Sequence, residues 1–75
     1  MEEDVTKTVG LEILVALRKR YEADIATALA NIEVYNSNPM GIGDHPDIVA
    51  AVDGEVTKLA EAADKLIALI EFFRI

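Results

Sequence analysis

Apolar residues recur at helical spacing on both sides of one short stretch that is unsuited to a helix. Residues 36–46 contain both prolines and two of the four glycines of the chain, a composition typical of a loop. Before and after this stretch the apolar positions follow in steps of three and four residues. The first row is Leu11, Leu14, Leu17, Tyr21, Ile25, Ala28, Ile32 and Tyr35, and the second is Val49, Val52, Val56, Leu59, Ala63, Leu66, Ile70 and Phe73. The spacing predicts helices over about 8–36 and 46–74, joined by a loop over about 37–45.

The two rows also match each other in reverse order, as the facing sides of two antiparallel helices must. Paired outward from the loop, Ile25 falls opposite Leu59 and Tyr21 opposite Ala63, and the position numbers of each pair sum to 83 or 84. A large side chain then meets a small one at Tyr21 and Ala63, as layered packing requires. We therefore predict an all-α fold, one antiparallel two-helix hairpin over residues 1–75. The residues expected to be buried are Leu17, Tyr21, Ile25, Ala28, Leu59, Ala63 and Leu66.

The stretch between the helices is interpreted as a structural turn and not as a ligand site. Gly41 or Gly43 is expected to supply a positive φ angle, and Asp44 or His45 to be the N-cap of the second helix, with Pro46 in its first turn. A glycine-rich turn before a helix can also bind an anion, but no strand precedes this one and no lysine follows it. The turn residues are Pro39, Gly41, Gly43, His45 and Pro46.

All of the net charge of −7 lies in the middle of the chain. Residues 21–57 contain seven acidic residues and no lysine or arginine, whereas residues 1–20 and 58–75 each sum to zero. An acidic field of this kind repels phosphate backbones and attracts cations or basic proteins. We therefore expect no nucleic-acid partner, and a basic protein is a candidate partner.

A single hairpin leaves more apolar surface exposed than a chain of this size tolerates. Its core is too small to offset the entropy lost on ordering, and further apolar residues gather at the end away from the loop. Self-association into a homo-oligomer would bury them, and a dimer built as a four-helix bundle is favoured. An antiparallel arrangement of the hairpins would best separate the acidic loops. The expected oligomer interface is Ile13, Val15, Ile67, Leu69, Phe72 and Ile75.

Membrane association is the competing use of such a surface and has less support. No apolar run reaches the roughly 18 residues that span a bilayer, and few of the basic residues that an interfacial helix needs are present. The first four residues, Met-Glu-Glu-Asp, are acidic where a secretory signal is basic. We expect a cytoplasmic protein with no membrane partner.

The residue types needed for catalysis or metal binding are scarce. There is no cysteine, Ser37 is the only serine and His45 is the only histidine. Ser37 and His45 share one loop, but nothing there supplies the oxyanion hole of a hydrolytic triad. Asp44, His45 and Asp47 have neither the calcium-loop spacing nor the two-histidine zinc spacing. We predict that the protein is not an enzyme and has no catalytic, cofactor-binding or metal-binding residues.

The loop carries a family resemblance. Residues 38–47 read Asn-Pro-Met-Gly-Ile-Gly-Asp-His-Pro-Asp between two alanine-rich helices. This run resembles small uncharacterised two-helix proteins of tailed phages that infect marine cyanobacteria, with relatives in marine metagenomes, and the resemblance covers roughly residues 20–70. It implies a small viral accessory protein made in the host cytoplasm, and it implies no activity.

Three hypotheses of function follow from these observations, and the one with least support is a small helical enzyme, which would need a cation-lined cavity in the oligomer. The first is a small self-associating helical protein that mediates protein–protein interaction, a viral accessory protein whose surplus apolar residues form its contacts. The alternative is an acidic inhibitor that occupies the basic cleft of a host nucleic-acid enzyme, using the acidic residues of 21–57.

Overall fold

The protein is an antiparallel pair of long helices. The computed structural model describes residues 5–37 and 47–74, with side chains from residue 10 onward in the first range and throughout the second. These residues form α1 (Val5–Ser37) and α2 (Ile48–Phe73), packed side by side in an elongated rod. The all-α hairpin predicted from the apolar spacing is confirmed. Compared with the expected bounds, α1 begins three residues earlier and α2 begins two residues later.

The contact line between the helices, called the seam below, follows the predicted row on α1. Ala28 is buried, and the other seam residues of α1 are half-buried. Leu11 is the exception, because it is exposed although it belongs to the predicted row. The half-buried seam residues of α1 are Leu14, Leu17, Tyr21, Ile25, Ile32 and Tyr35.

On α2 the predicted row is only half right. Three members of the predicted row, Val52, Leu59 and Leu66, lie in the seam as expected. At the positions between them the seam contains the residue one place earlier in the chain than predicted, for example Glu55 instead of Val56. Four predicted seam residues are exposed instead, among them Val49 at 80%. The observed seam of α2 is Ile48, Val52, Glu55, Leu59, Ala62, Leu66 and Leu69, and the exposed residues are Val49, Val56, Ile70 and Phe73.

The register of the two helices differs slightly from the predicted one. Asn31 contacts Glu55, and Lys65 lies over the ring of Tyr21. The position numbers sum to 86 in both pairs, whereas the predicted pairs sum to 83 or 84. The constant sum confirms that the helices run antiparallel, and its value shifts the facing positions by about two residues.

The ends of the helices correct one further expectation. The N-cap of α2 is Asp47, whose Oδ1 accepts a hydrogen bond from the backbone N–H of Ala50 at 2.9 Å, so Asp44 and His45 do not have this role. Ser37, expected in the loop, is the last residue of α1, and its hydroxyl donates to the carbonyl of Glu33 at 2.7 Å. The predicted turn residues lie outside the described residues, and they are Pro39, Gly41, Gly43, His45 and Pro46.

Candidate interaction surfaces

The seam divides the surface of the rod into two flanks of opposite character. One flank is a polar groove of about 290 Å³ that runs along the seam at mid-rod. We call it the polar flank, and the side chains that line it beyond the seam are Asp24, Thr27, Asn31, Lys58, Glu61 and Lys65.

A buried carboxylate lies at the bottom of the polar flank. Glu55 is 8% exposed, and its two carboxylate oxygens each accept one hydrogen bond. Asn31 Nδ2 donates to Oε1 at 2.7 Å across the seam, and Lys58 Nζ donates to Oε2 at 3.0 Å from the next turn of α2. Because these partners satisfy the charge, Glu55 can occupy a position that an apolar residue would normally hold.

The same partners set the acidity of this carboxyl group. The hydrogen bond from Asn31, followed by that from Lys58, holds the pKa of Glu55 below its usual value, and burial opposes them only in part. Glu55 is therefore ionised at neutral pH. The apolar spacing missed this contact, although Glu55 belongs to a seven-residue row with Ile48, Ala62 and Leu69 that could have revealed it.

The opposite flank is apolar. Successive residues of a helix are rotated by about 100° around its axis. Residues one and four positions after a buried seam residue, such as Ala28 of α1 or Glu55 of α2, therefore lie on the side away from the polar groove. We call this side the apolar flank. Its exposed members are Leu11, Leu29, Val49, Val56, Ile70 and Phe73, and its half-buried members are Val15, Ile25, Ile32 and Ala63.

One ion pair interrupts the apolar flank near the middle of α1. Arg18 Nε lies 3.4 Å from Glu22 Oε2, and both side chains are about half exposed. Residues four apart lie on the same helix face, so the two charges partly compensate each other there. The flank therefore presents a long apolar surface whose central charges are mutually paired.

The residues expected at an oligomer interface are divided among several places. Val15 lies on the apolar flank, and Ile67 lies at the outer edge of that flank. Ile13 and Phe72 are exposed on the side of the polar flank, at the end of the rod away from the loop. Leu69 was expected outside the seam, and this was wrong: it is 5% exposed because it packs against α1 within the hairpin. Ile75 lies outside the described residues.

Metal-binding clusters and membrane-spanning stretches are both absent from the described residues. Within residues 5–37 and 47–74, no group of three His, Cys, Asp or Glu side chains is placed to hold a metal ion. Neither α1 nor α2, over the part of the chain that the structure describes, has an apolar stretch long enough to cross a membrane.

No protein-family model, no curated protein and no solved structure matches the chain. The phage resemblance of residues 38–47 therefore stays a prediction from the sequence.

Proposed function

We propose that the chain is a self-associating helical protein whose apolar flank binds a second copy, and that the assembled protein mediates contacts with other proteins. The observation that carries this proposal is the placement of six large exposed apolar side chains on one flank of the rod. Monomeric proteins rarely expose a continuous apolar patch larger than a few hundred Å². A second copy covers such a patch because the same surface is present on both partners.

The apolar burial available to such a dimer is of the same order as the cost of association, which supports the proposal. Fully burying a large aliphatic or aromatic side chain is worth about 1.5–3 kcal/mol. Association costs on the order of 4–15 kcal/mol in lost translational and rotational freedom. Leu29, Val56 and Ile70 are about half exposed, so each would regain about half of that value, and six such residues from each of two copies give a gain of the same order as this cost. The charges that would be covered, Arg18 and Glu22, already form an ion pair.

A matched pair of substitutions tests which flank binds. Val56 is 45% exposed on the apolar flank, and Val34 is 54% exposed on the side of the polar flank, one heptad from Thr27. We expect Val56→Glu to weaken dimerisation by about 100-fold or more, because a symmetric interface would bury two unpaired carboxylates. Val34→Glu should leave the dissociation constant unchanged. Sedimentation across a range of concentrations measures both.

The outcome is decisive in either direction. A parent protein that stays monomeric at high concentration contradicts self-association. Equal dissociation constants for the parent and for Val56→Glu place the contact elsewhere on the rod. Circular dichroism of each variant shows whether helicity is kept.

A second candidate function rests on charge. Residues 21–57 carry seven acidic side chains and no basic one, and an inhibitor of a basic cleft needs such a surface. Binding of this kind weakens steeply with salt. Capture of basic nucleic-acid enzymes from a host lysate, lost between low and high salt, would favour this alternative. The phage resemblance adds a viral source and the host cytoplasm to both proposals, from the sequence alone.

A further inference from the structure

We infer that the second copy lies antiparallel on the apolar flank, with a two-fold axis that crosses α2 at Ala63. This inference rests on the proposed self-association and specifies its geometry. The two loops of such a dimer lie at opposite ends, and α2 of one copy packs along α2 of the other. Two independent features support it, the order of side-chain sizes along α2 and the distribution of charge.

The side-chain sizes along the apolar flank of α2 are arranged for a two-fold axis. Val49, Val56, Ala63 and Ile70 are spaced seven residues apart and therefore form one row. Ala63 is half-buried, whereas Val56 and Ile70 on either side of it are exposed. An axis at Ala63 brings the smallest residues together, which lets the helices approach closely, and it places each Val56 level with Ile70 of the second copy.

The charge distribution separates the two possible orientations. A parallel dimer sets the acidic stretch 21–57 of one copy beside the same stretch of the other, with no lysine or arginine in either. An antiparallel dimer sets each acidic half beside the half that carries Arg18, Lys65 and the other basic residues. Like charges that face each other repel, so placing each acidic stretch beside a half whose charges sum to zero favours the antiparallel orientation.

Cysteine cross-linking tests the position of the axis, and the chain has no cysteine of its own. Ala63→Cys should form a disulfide-linked dimer under mild oxidation, because the axis brings the two Cβ atoms within disulfide reach. Ala68→Cys is the matched control. Ala68 is exposed on the opposite side, seven residues from Glu61 of the polar groove, and should cross-link at least about ten-fold more slowly.

Spin labels test the orientation in the uncross-linked protein. Ala23 and Ser37 of α1 are both exposed and can carry a label. Ala23 is level with Ala63 of α2, because the numbers of facing positions sum to 86, whereas Ser37 lies at the loop end of α1. In the antiparallel dimer, labels on Ser37→Cys should be separated by about 40 Å along the rod, from the rise of 1.5 Å per residue. Labels on Ala23→Cys should be separated only by the width of the bundle, about 25 Å.

Each result of the label experiment supports or overturns a specific statement. A long distance at residue 37 with a short distance at residue 23 supports the antiparallel dimer. Short distances at both positions overturn the antiparallel orientation and leave self-association standing. The absence of dipolar coupling at both positions, under conditions where light scattering shows only monomer, overturns self-association as well. Rapid cross-linking of Ala68→Cys with none of Ala63→Cys moves the contact to the polar flank.

Discussion

The two flanks of the hairpin are built from the same two helices, yet they make different use of their charged residues. On the polar flank, Asn31 and Lys58 hydrogen-bond the Glu55 carboxylate across and along the seam. On the apolar flank, Arg18 and Glu22 pair within α1, and the positions around them are aliphatic. The Glu55 carboxylate is thus satisfied within the chain, whereas the apolar flank keeps six large apolar side chains exposed. The comparison shows how one short hairpin can combine a specific fold with the surface that we propose for association.

Removing a side chain from the seam that both flanks share should have the largest effect. Leu69→Ala is expected to lower the free energy of unfolding by about 3 kcal/mol, because it leaves a cavity in a thin core. Ile13→Ala, at an exposed position on the side of the polar flank, should cost less than about 1 kcal/mol. Urea unfolding measures both changes. Equal losses would mean that the end of the rod away from the loop is not packed as described.

The hydrogen-bonded Glu55 carboxylate on the polar flank should make the free energy of unfolding depend on pH. Because the pKa of Glu55 is lowered in the folded protein, the unfolded chain takes up this proton first as the pH falls. The stabilisation is present above the ordinary glutamate pKa of about 4.3 and is lost as the pH falls through the lowered value. Glu55→Gln should lower the melting temperature at pH 7, by less than Leu69→Ala does, and flatten the acid limb of the stability curve.

Glu61→Gln is the matched control for that experiment. It removes the same charge from the same groove, at an exposed position without a described hydrogen bond. Its acid limb should parallel that of the parent protein. If both variants flatten the curve equally, the effect comes from net charge and not from the contact of Glu55 with Asn31.

The smallest expected effect tests whether the polar flank is also covered by another helix. A Cβ atom added at Gly54 or at Gly10 would meet nothing within 4 Å. Gly54→Ala and Gly10→Ala should therefore each stabilise the protein by up to about 1 kcal/mol, the difference in helix propensity. Thermal unfolding and sedimentation measure the result. Weaker dimerisation of Gly54→Ala alone would show that a helix of another copy approaches the polar side.

The hairpin could be predicted because the apolar spacing in each of the two helices indicates it. On α1 a single apolar row stands out, and Leu17, Tyr21, Ile25 and Ala28 lie in the seam as predicted. On α2 two adjacent rows share the seven-residue spacing, and apolar content alone favours the row of Val49, Val56, Ala63 and Ile70. The seam instead takes the row that contains Glu55, because Asn31 from the other helix satisfies the carboxylate. Spacing within one helix carries no information about a partner across the seam.

The sequence predicts that the hairpin has surplus apolar residues on its surface, but it locates them less accurately. Surplus apolar residues were expected at the end away from the loop, and Val15 and Ile67 do lie on or beside the apolar flank. Leu69 was misplaced because a one-residue rotation of α2 exchanges seam and surface. Val49 and Val56, near the loop end, were assigned to the seam for the same reason, so the apolar flank extends further along the rod than predicted.

The contact between Asn31 and Glu55 also has a consequence for alternative registers of the hairpin. If α2 slid by one heptad along α1 toward its N-terminus, Glu55 would face Asp24 in place of Asn31, and two carboxylates would meet in the groove. Sliding the other way would carry Glu55 beyond Ser37, the last described residue of α1. Aliphatic seam residues would tolerate either slip, since one apolar layer resembles the next. The hydrogen bond from one amide therefore favours the observed alignment over registers one heptad away.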